Sequence, residues 1–259
     1  MKSLLRISAL ALTLPASAVV IVQENFDYPD GILAGNSGGS GFAVGSNWAV
    51  SGTNGGGGNQ VSSSTVQTSP PTAGAGRFDS RAISQAVAPS SSLYFGGTFA
   101  TSAADPTYAQ WISITGSAAF DNANAGPYIQ FGLADGQFSL RPNTNSGDFD
   151  FNGSGYTPGS TIRFVGRADY DASGTITNIA VGIDPATEGD LTQTYTTSIT
   201  GLQTITGATV GNFVLNAPAV GTIDDFVLST TFAEAVPEPS SALLSLLGGL
   251  GFLGLRRRK

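Results

Sequence analysis

The chain has 259 residues, a formal net charge of −7, and neither cysteine nor histidine. These absences exclude a disulfide framework and the usual forms of serine-triad, cysteine-nucleophile and zinc chemistry. Between Val19 and Pro239 there are only five cations, all arginine, against all 18 acidic residues of the chain, a net charge of −13. We therefore expect no binding to nucleic acid.

The first 18 residues have the three-part pattern of a secretory signal peptide. Lys2 and Arg6 supply positive charge, residues 7–14 are apolar, and Ala16 and Ala18 give the small-residue pattern of a cleavage site. We expect a signal peptide over residues 1–18, export, and a mature chain that begins at Val19.

Residues 19–233 are predicted to form one β-sandwich ectodomain, which opens with a strand over residues 19–26. A turn follows at Pro29, Asp30 and Gly31. Residues 35–64 are rich in glycine and serine, which predicts a long, flexible surface loop with one embedded strand near Trp48.

Further along, short segments rich in aromatic and β-branched residues alternate with turn residues. The predicted strands are 93–99, 108–117, 128–133, 138–141, 162–170, 175–183, 210–215 and 222–228. The clearest hairpin joins 162–170 to 175–183 through a turn at 171–174. Residues 19–234 show no amphipathic helical pattern, so we predict an all-β, two-sheet antiparallel jelly roll of about ten to twelve strands.

The last 26 residues, 234–259, contain three features in strict order. A proline-bracketed acidic motif consists of Val236, Pro237, Glu238, Pro239 and Ser240. An apolar run of 14 residues, 242–255, follows, and the chain ends in the basic cluster Arg256, Arg257, Arg258 and Lys259. As a helix this run would span about 21 Å, short of the roughly 30 Å of a bilayer core, which favours a transient transmembrane helix with a cytoplasmic basic end.

This order resembles the PEP-CTERM sorting signal of Gram-negative envelope proteins. The resemblance implies that an exosortase-type processing enzyme in the inner membrane recognises the motif and removes the span. The protein would then reach the cell surface or the extracellular matrix. The alternative is a simple membrane anchor that is never processed.

The ectodomain also has a family likeness, carried by residues 24–28, by the hairpin over 167–175, and by the closing strand 223–228. Together they resemble the laminin G-like, concanavalin A-like jelly rolls. Lectins, glucanases and adhesion modules share that fold, so it does not name a function.

Enzymatic activity is not expected, and no catalytic residue is assigned. The glucanase branch of the fold needs closely spaced carboxylates, whereas the only glutamates are Glu24, Glu188, Glu234 and Glu238. The leading hypothesis is a non-enzymatic exported protein. The alternatives are a lectin-like module that binds extracellular polysaccharide and, less favoured, an unusual hydrolase using Asp148 or Asp150.

For a lectin-like module, five strand aromatics could stack on sugars, although strand aromatics more often belong to the core. They are Trp48, Tyr94, Tyr108, Trp111 and Tyr128.

No cofactor is required by the sequence, with calcium as the one ion considered. Its candidate ligands are the loop aspartates Asp148, Asp150, Asp169 and Asp171. For the last two, the favoured interpretation is a hairpin turn in which Asp and Ser bond local backbone amides. Of the pair Asp224 and Asp225, one side chain is expected to point inward and one outward. The inward carboxylate would need a partner, for which Arg163 or Arg167 is the guess.

Overall fold

Two antiparallel sheets make up the sandwich. The structure is a computed structural model that describes residues 19–54, 58–68, 76–88, 90–101, 108–116, 127–134, 137–142, 149–151, 157, 159–214 and 221–236. Every strand pairing within these residues is antiparallel. The predicted all-β, two-sheet jelly roll is thereby confirmed.

The first sheet contains nine strands among the described residues. They are β1 (Val20–Glu24), β2 (Gly31–Ile32), β4 (Gln60–Ser62), β5 (Thr65–Thr68), β7 (Ser92–Thr101), β12 (Thr161–Tyr170), β13 (Ile176–Ile183), β14 (Gln193–Ile199) and β16 (Gly221–Ser229). Their order is β14-β13-β12-β7-β16-β5-β4-β2, and β1 also pairs with β16. The first and last strands of the described domain therefore lie side by side.

The second sheet contains seven strands within the same described ranges. They are β3 (Ala49–Asn54), β6 (Gly76–Ala86), β8 (Tyr108–Thr115), β9 (Tyr128–Ala134), β10 (Gln137–Pro142), β11 (Phe149–Phe151) and β15 (Thr204–Val214). Their order is β11-β10-β9-β8-β15-β6-β3.

A phenylalanine cluster joins the two sheets at the centre of the core. Phe95, Phe99 and Phe164 come from the nine-stranded sheet, Phe131 and Phe138 come from the seven-stranded sheet, and all five are fully buried. The ring of Phe164 stacks on Phe131 with centroids 5.2 Å apart and on Phe138 with centroids 4.7 Å apart. Such pairs contribute packing energy beyond the area they bury.

Two sequence expectations need correction. The sixteen strands among the described residues exceed the predicted number, because β2, β4, β5, β6, β11 and β14 were not predicted as strands. The expected flexible loop over 35–64 does contain the predicted strand near Trp48, which is β3. It also contributes β4 and backbone hydrogen bonds such as Trp48 N–H to Asn36 O at 2.9 Å, in its described parts 35–54 and 58–64. Its glycines and serines therefore form ordered turns that fold back on the sandwich.

Candidate functional site

Glu24, at the end of β1, is the centre of a buried polar network. Its side chain is 1% exposed. The carboxylate accepts hydrogen bonds from the hydroxyl of Tyr28 at 2.6 Å, the indole N–H of Trp48 at 3.0 Å and the Phe26 amide at 3.0 Å. The Arg81 guanidinium lies 3.2 Å away and completes a buried ion pair. With this many donors the charge is satisfied inside the protein.

Arg81 extends this network into the glycine-rich segment. Its guanidinium donates to the carbonyl oxygens of Ser37 at 3.0 Å and Ser46 at 3.2 Å, and also to that of Gly38. The guanidinium carbon lies 3.9 Å from the centroid of the Phe42 ring, a cation–π contact. A single buried arginine thus fixes residues 37–46 against β6, which explains why this segment is ordered.

An open cavity of about 280 Å³ adjoins this network. It is lined by Gln23, Glu24, Asn25, Asp27, Tyr28, Gly38, Gly39 and Ser40. Burial, together with the hydrogen bond to Glu24, raises the pKa of the Tyr28 phenol above its ordinary value. The cavity is therefore polar and bordered by acidic groups, but Glu24 is already committed to the fold.

Asp224 and Asp225 form an acidic bulge in β16. The pairing with β7 shifts between Asp224 and Val227, and Asp225 has a positive φ of 51°. Burial raises the pKa of Asp224 to about 7, with further contributions from the charges of Asp225, Asp27 and Glu24. Burial likewise raises the pKa of Asp225. The bulge thus places a partly buried carboxyl among like charges, which favours its protonated form.

The guess that Arg163 or Arg167 pairs with these aspartates is not supported. The Arg167 guanidinium lies 2.9 Å from the Asp169 carboxylate and forms a second ion pair with Glu188. Arg163 donates to the Pro185 carbonyl at 2.9 Å. Both contacts lie on the outer side of β12, where Arg167 holds the pKa of Glu188 below its ordinary value.

Two of the four candidate calcium ligands are described in full, and their oxygens already accept hydrogen bonds. Asp169 accepts from the Ser92 hydroxyl at 2.7 Å and from the Asn178 amide at 3.1 Å, besides pairing with Arg167. Asp148 and the side chain of Asp150 lie outside the described residues. Within the described ranges, no group of three or more potential ligands is placed to hold a metal ion.

Asp171 closes the β12–β13 turn, as the favoured interpretation predicted. Its carboxylate accepts the backbone amides of Ser173 at 2.8 Å and Thr175 at 2.9 Å. Gly174 follows with a φ of 77°. These hydrogen bonds, with that from the Ser173 hydroxyl first among them, lower the pKa of Asp171. The hairpin-turn interpretation is confirmed.

The aromatic side chains proposed to stack on sugars are mostly buried. Trp48 is 1%, Tyr128 4%, Trp111 6% and Tyr94 8% exposed, and the side chain of Tyr108 is outside the described set. None of these four presents an open ring face, so sugar stacking on an exposed aromatic is not supported by them.

Trp111 nevertheless has one unusual feature on the outer face of the seven-stranded sheet. Ile112 belongs to the core, so alternation along β8 directs Trp111 and Ser113 to the outer side. The Trp111 indole packs on Phe78, with ring centroids 5.7 Å apart. Its N–H and the Ser113 hydroxyl are both buried without a hydrogen-bond partner in the structure as described.

The C-terminal end of the described chain packs on the opposite side of the molecule. A four-residue helix, α1 (Phe232–Ala235), follows β16 and lies against the outer face of the nine-stranded sheet. Val236 is the last described residue. The remaining motif residues Pro237, Glu238, Pro239 and Ser240, the basic cluster at 256–259, and the predicted cleavage residues Ala16 and Ala18 lie outside the described residues.

Residues 235–259 match the family model of the PEP-CTERM protein-sorting motif. The match confirms the resemblance drawn from the tail and implies exosortase-dependent export through the cell envelope. No helix among the described residues is long and apolar enough to cross a membrane. Comparison of the sequence with curated proteins finds no match.

Solved structures with similar folds include lectins. The globular domain of T. cruzi calreticulin has a TM-score of 0.50 and 10% identity, over 90% of this chain and 95% of its own. A Bauhinia forficata lectin in complex with GalNAc has a TM-score of 0.44 and 11% identity, over 83% and 99%. A Lotus tetragonolobus seed lectin has a TM-score of 0.45 and 10% identity, over 73% and 94%. At these identities the likeness concerns the fold alone, an all-β sandwich followed in this chain by a PEP-CTERM sorting motif.

Proposed function

We propose that this chain is a non-enzymatic cell-surface or extracellular-matrix protein whose C-terminal residues are the substrate of an exosortase-type enzyme. The observation that carries the proposal is the sorting motif at 235–259, whose first two residues, Ala235 and Val236, are the last packed residues of the described chain. The tail acts as a substrate, and the sandwich is the part that remains after processing.

The contacts of Glu24 and Glu188, the two glutamates within the described sandwich, support a non-enzymatic role. The buried Glu24 accepts hydrogen bonds from Tyr28, Trp48 and Phe26 and pairs with Arg81. Glu188 is held in an ion pair with Arg167. Carboxylates committed in this way stabilise the fold and are poorly suited to move protons in a reaction.

Intact mass tests the proposal most directly. The protein would be recovered from membrane and medium of its native host, with the exosortase present and with it deleted. We expect a mass that begins at Val19 and lacks residues 256–259 when the enzyme is present, and a membrane-bound form retaining them when it is deleted. A full-length membrane form in both strains would show that the tail is an unprocessed anchor.

A second candidate function is binding of a neutral polysaccharide at the outer face of the seven-stranded sheet. Its support is the pair of buried, unpartnered donors on β8, the Trp111 indole N–H and the Ser113 hydroxyl. Buried polar groups nearly always have hydrogen-bond partners. Because both atoms are shielded from solvent, hydroxyl groups of a ligand could supply the partners only after the side chains that cover them move aside.

A glycan panel, measured with and without calcium, tests this candidate. Binding that is lost in Trp111→Phe, which keeps an aromatic ring without the N–H, would support it, with Tyr94→Phe on the other sheet as the matched control. Absence of binding to any glycan would eliminate it and leave the structural role.

A further inference from the structure

The segment that leads into the sorting motif, together with the motif's first two residues, packs on a small apolar surface separate from the main core. Ala235 is fully buried, and Phe232 and Val236 pack beside it. The surface they cover, here called the outer patch, consists of Tyr94, Val165, Ala180 and Leu191.

The outer patch lies outside the sandwich because of strand alternation. Phe95 and Phe164 point into the core, so their neighbours Tyr94 and Val165 point to the outer face of the nine-stranded sheet. Beside the patch, the Tyr94 hydroxyl donates to Glu188 at 2.8 Å.

Gly96 of β7 sets how closely α1 approaches the sheet. A Cβ added at Gly96 would lie 2.5 Å from the carbonyl oxygen of Ala235. Only glycine leaves room for that oxygen. The docked position of α1 therefore depends on a residue far from it in sequence.

The helical turn of α1 contributes little to keeping this segment docked on the sheet. A single helical turn is not stable in isolation, and α1 ends after four residues with a hydrogen bond from the Val236 amide to the Phe232 carbonyl at 3.2 Å. Few buried contacts and a terminal position place such a segment among those that open most readily.

We infer that residues 232–236 act as a latch that controls access to the sorting motif. A processing enzyme has to surround the peptide that it binds, whereas the docked latch keeps Ala235 fully buried and Val236 packed against the sheet. Processing therefore requires release of the latch, and the rate of processing follows the fraction of molecules in which it is open. The inference rests on the proposed function, because it concerns recognition of the same motif.

The test uses the full-length protein in the exosortase-containing host, comparing wild type with Gly96→Ala. The added methyl group would press on Ala235 and open the latch without changing the matched motif. Gly116→Ala is a closely matched control, because its Cβ would also lie 2.5 Å from a backbone carbonyl oxygen, that of Gly201, remote from α1. Hydrogen exchange of the peptide over 232–236 reports the latch, and pulse-chase intact mass reports processing.

We expect faster exchange and severalfold faster processing in Gly96→Ala, and neither in Gly116→Ala. Faster exchange with unchanged or slower processing would overturn the latch while leaving the proposed function intact. Wild-type protein that is never processed would overturn both.

Phe232→Ser is the second variant if Gly96→Ala fails to fold. It weakens the contact between the latch and the outer patch by changing the latch, because Phe232 packs against the outer patch. It also leaves the matched motif unchanged, because Phe232 precedes residue 235, where the family match begins. It should give the same faster exchange and processing, and normal processing with an opened latch would again refute the inference.

Discussion

Neutralising Asp224 should stabilise the protein at neutral and higher pH. Its pKa is about 7 in the folded chain against an ordinary value of 3.8, because of burial first and of the charges on Asp225, Asp27 and Glu24 second. The folded state thus retains a proton that the unfolded chain releases. This contribution to stability is fully present below about pH 4 and is lost as the pH rises through about 7.

The magnitude follows from the difference between the two pKa values. About three pKa units at 1.36 kcal/mol each give an upper limit of about 4 kcal/mol. Asp224 is only partly buried, so solvent screens part of this cost. We expect Asp224→Asn to raise the free energy of unfolding by roughly 2 kcal/mol at pH 8 and to change it little at pH 4.

Urea unfolding followed by tryptophan fluorescence measures this effect, in protein that lacks the apolar run 242–255. Asn keeps an oxygen in place of the Asp224 Oδ1 that accepts the Asp225 amide at 2.9 Å.

Burial also raises the pKa of Asp79 to about 6, so the stability of the Asp224→Asn variant should retain a smaller pH dependence of the same sign. Asp190→Asn is the control of opposite sign, because hydrogen bonds from Thr187 lower the pKa of Asp190. Equal stability of Asp224→Asn and wild type at pH 8 would refute the reasoning.

Three further substitutions test the fold around the candidate site. Arg81→Met leaves Glu24 buried without its cation and should lower the free energy of unfolding, measured in urea, by about 3–5 kcal/mol. Arg81→Lys should recover part of that stability. A loss below about 1 kcal/mol in Arg81→Met would contradict a buried ion pair. Phe138→Ala opens a cavity beneath the stacked ring of Phe164 and should cost about 3–5 kcal/mol, and a smaller loss would mean that the core closes over it. Asp171→Ala removes the acceptor that closes the hairpin turn and should lower Tm to the same extent with and without calcium, whereas a calcium-dependent difference would revive this residue as a ligand.

The β12–β13 hairpin shows which parts of the fold are predictable from sequence. Phe164, Ala168 and Tyr170 are buried at alternating positions of β12, and turn residues follow at once. The predicted segments 162–170 and 175–183 differ from the observed strands by one residue at one end of each. Local pattern and tertiary environment agree here, so the sequence alone is sufficient.

Strand β6 shows why other parts were missed. Its interior positions carry Asp79 and Arg81, 0% and 5% exposed, where an apolar residue would be expected. These polar groups are compatible with burial only because Asn59 donates to Asp79 at 2.6 Å and Arg81 pairs with Glu24. Those partners are distant in sequence, so no pattern within β6 could predict its burial.

The candidate site has the same limitation. The acidic pair Asp224 and Asp225 is visible in the sequence, but the bulge that places both near Asp27 depends on the pairing of β16 with β7. The role of Glu24 as the common acceptor of Tyr28 and Trp48 likewise depends on the fold. Residue types could be predicted, whereas their partners required the three-dimensional structure.

The latch is separated from the predicted membrane span by only a short stretch of chain, which limits how far the sandwich can lie from the membrane. Five residues, 237–241, separate Val236 from the apolar run, and an extended chain covers at most about 3.6 Å per residue, roughly 20 Å in all. While the tail is in the membrane, a docked latch would hold the outer face of the nine-stranded sheet within that distance of the span. Release of residues 232–236 would lengthen the tether by five residues, nearly doubling it. An enzyme embedded in the same membrane would therefore gain both space and access to all sides of the motif when the latch opens, which is why the rate of processing should respond to a methyl group at Gly96.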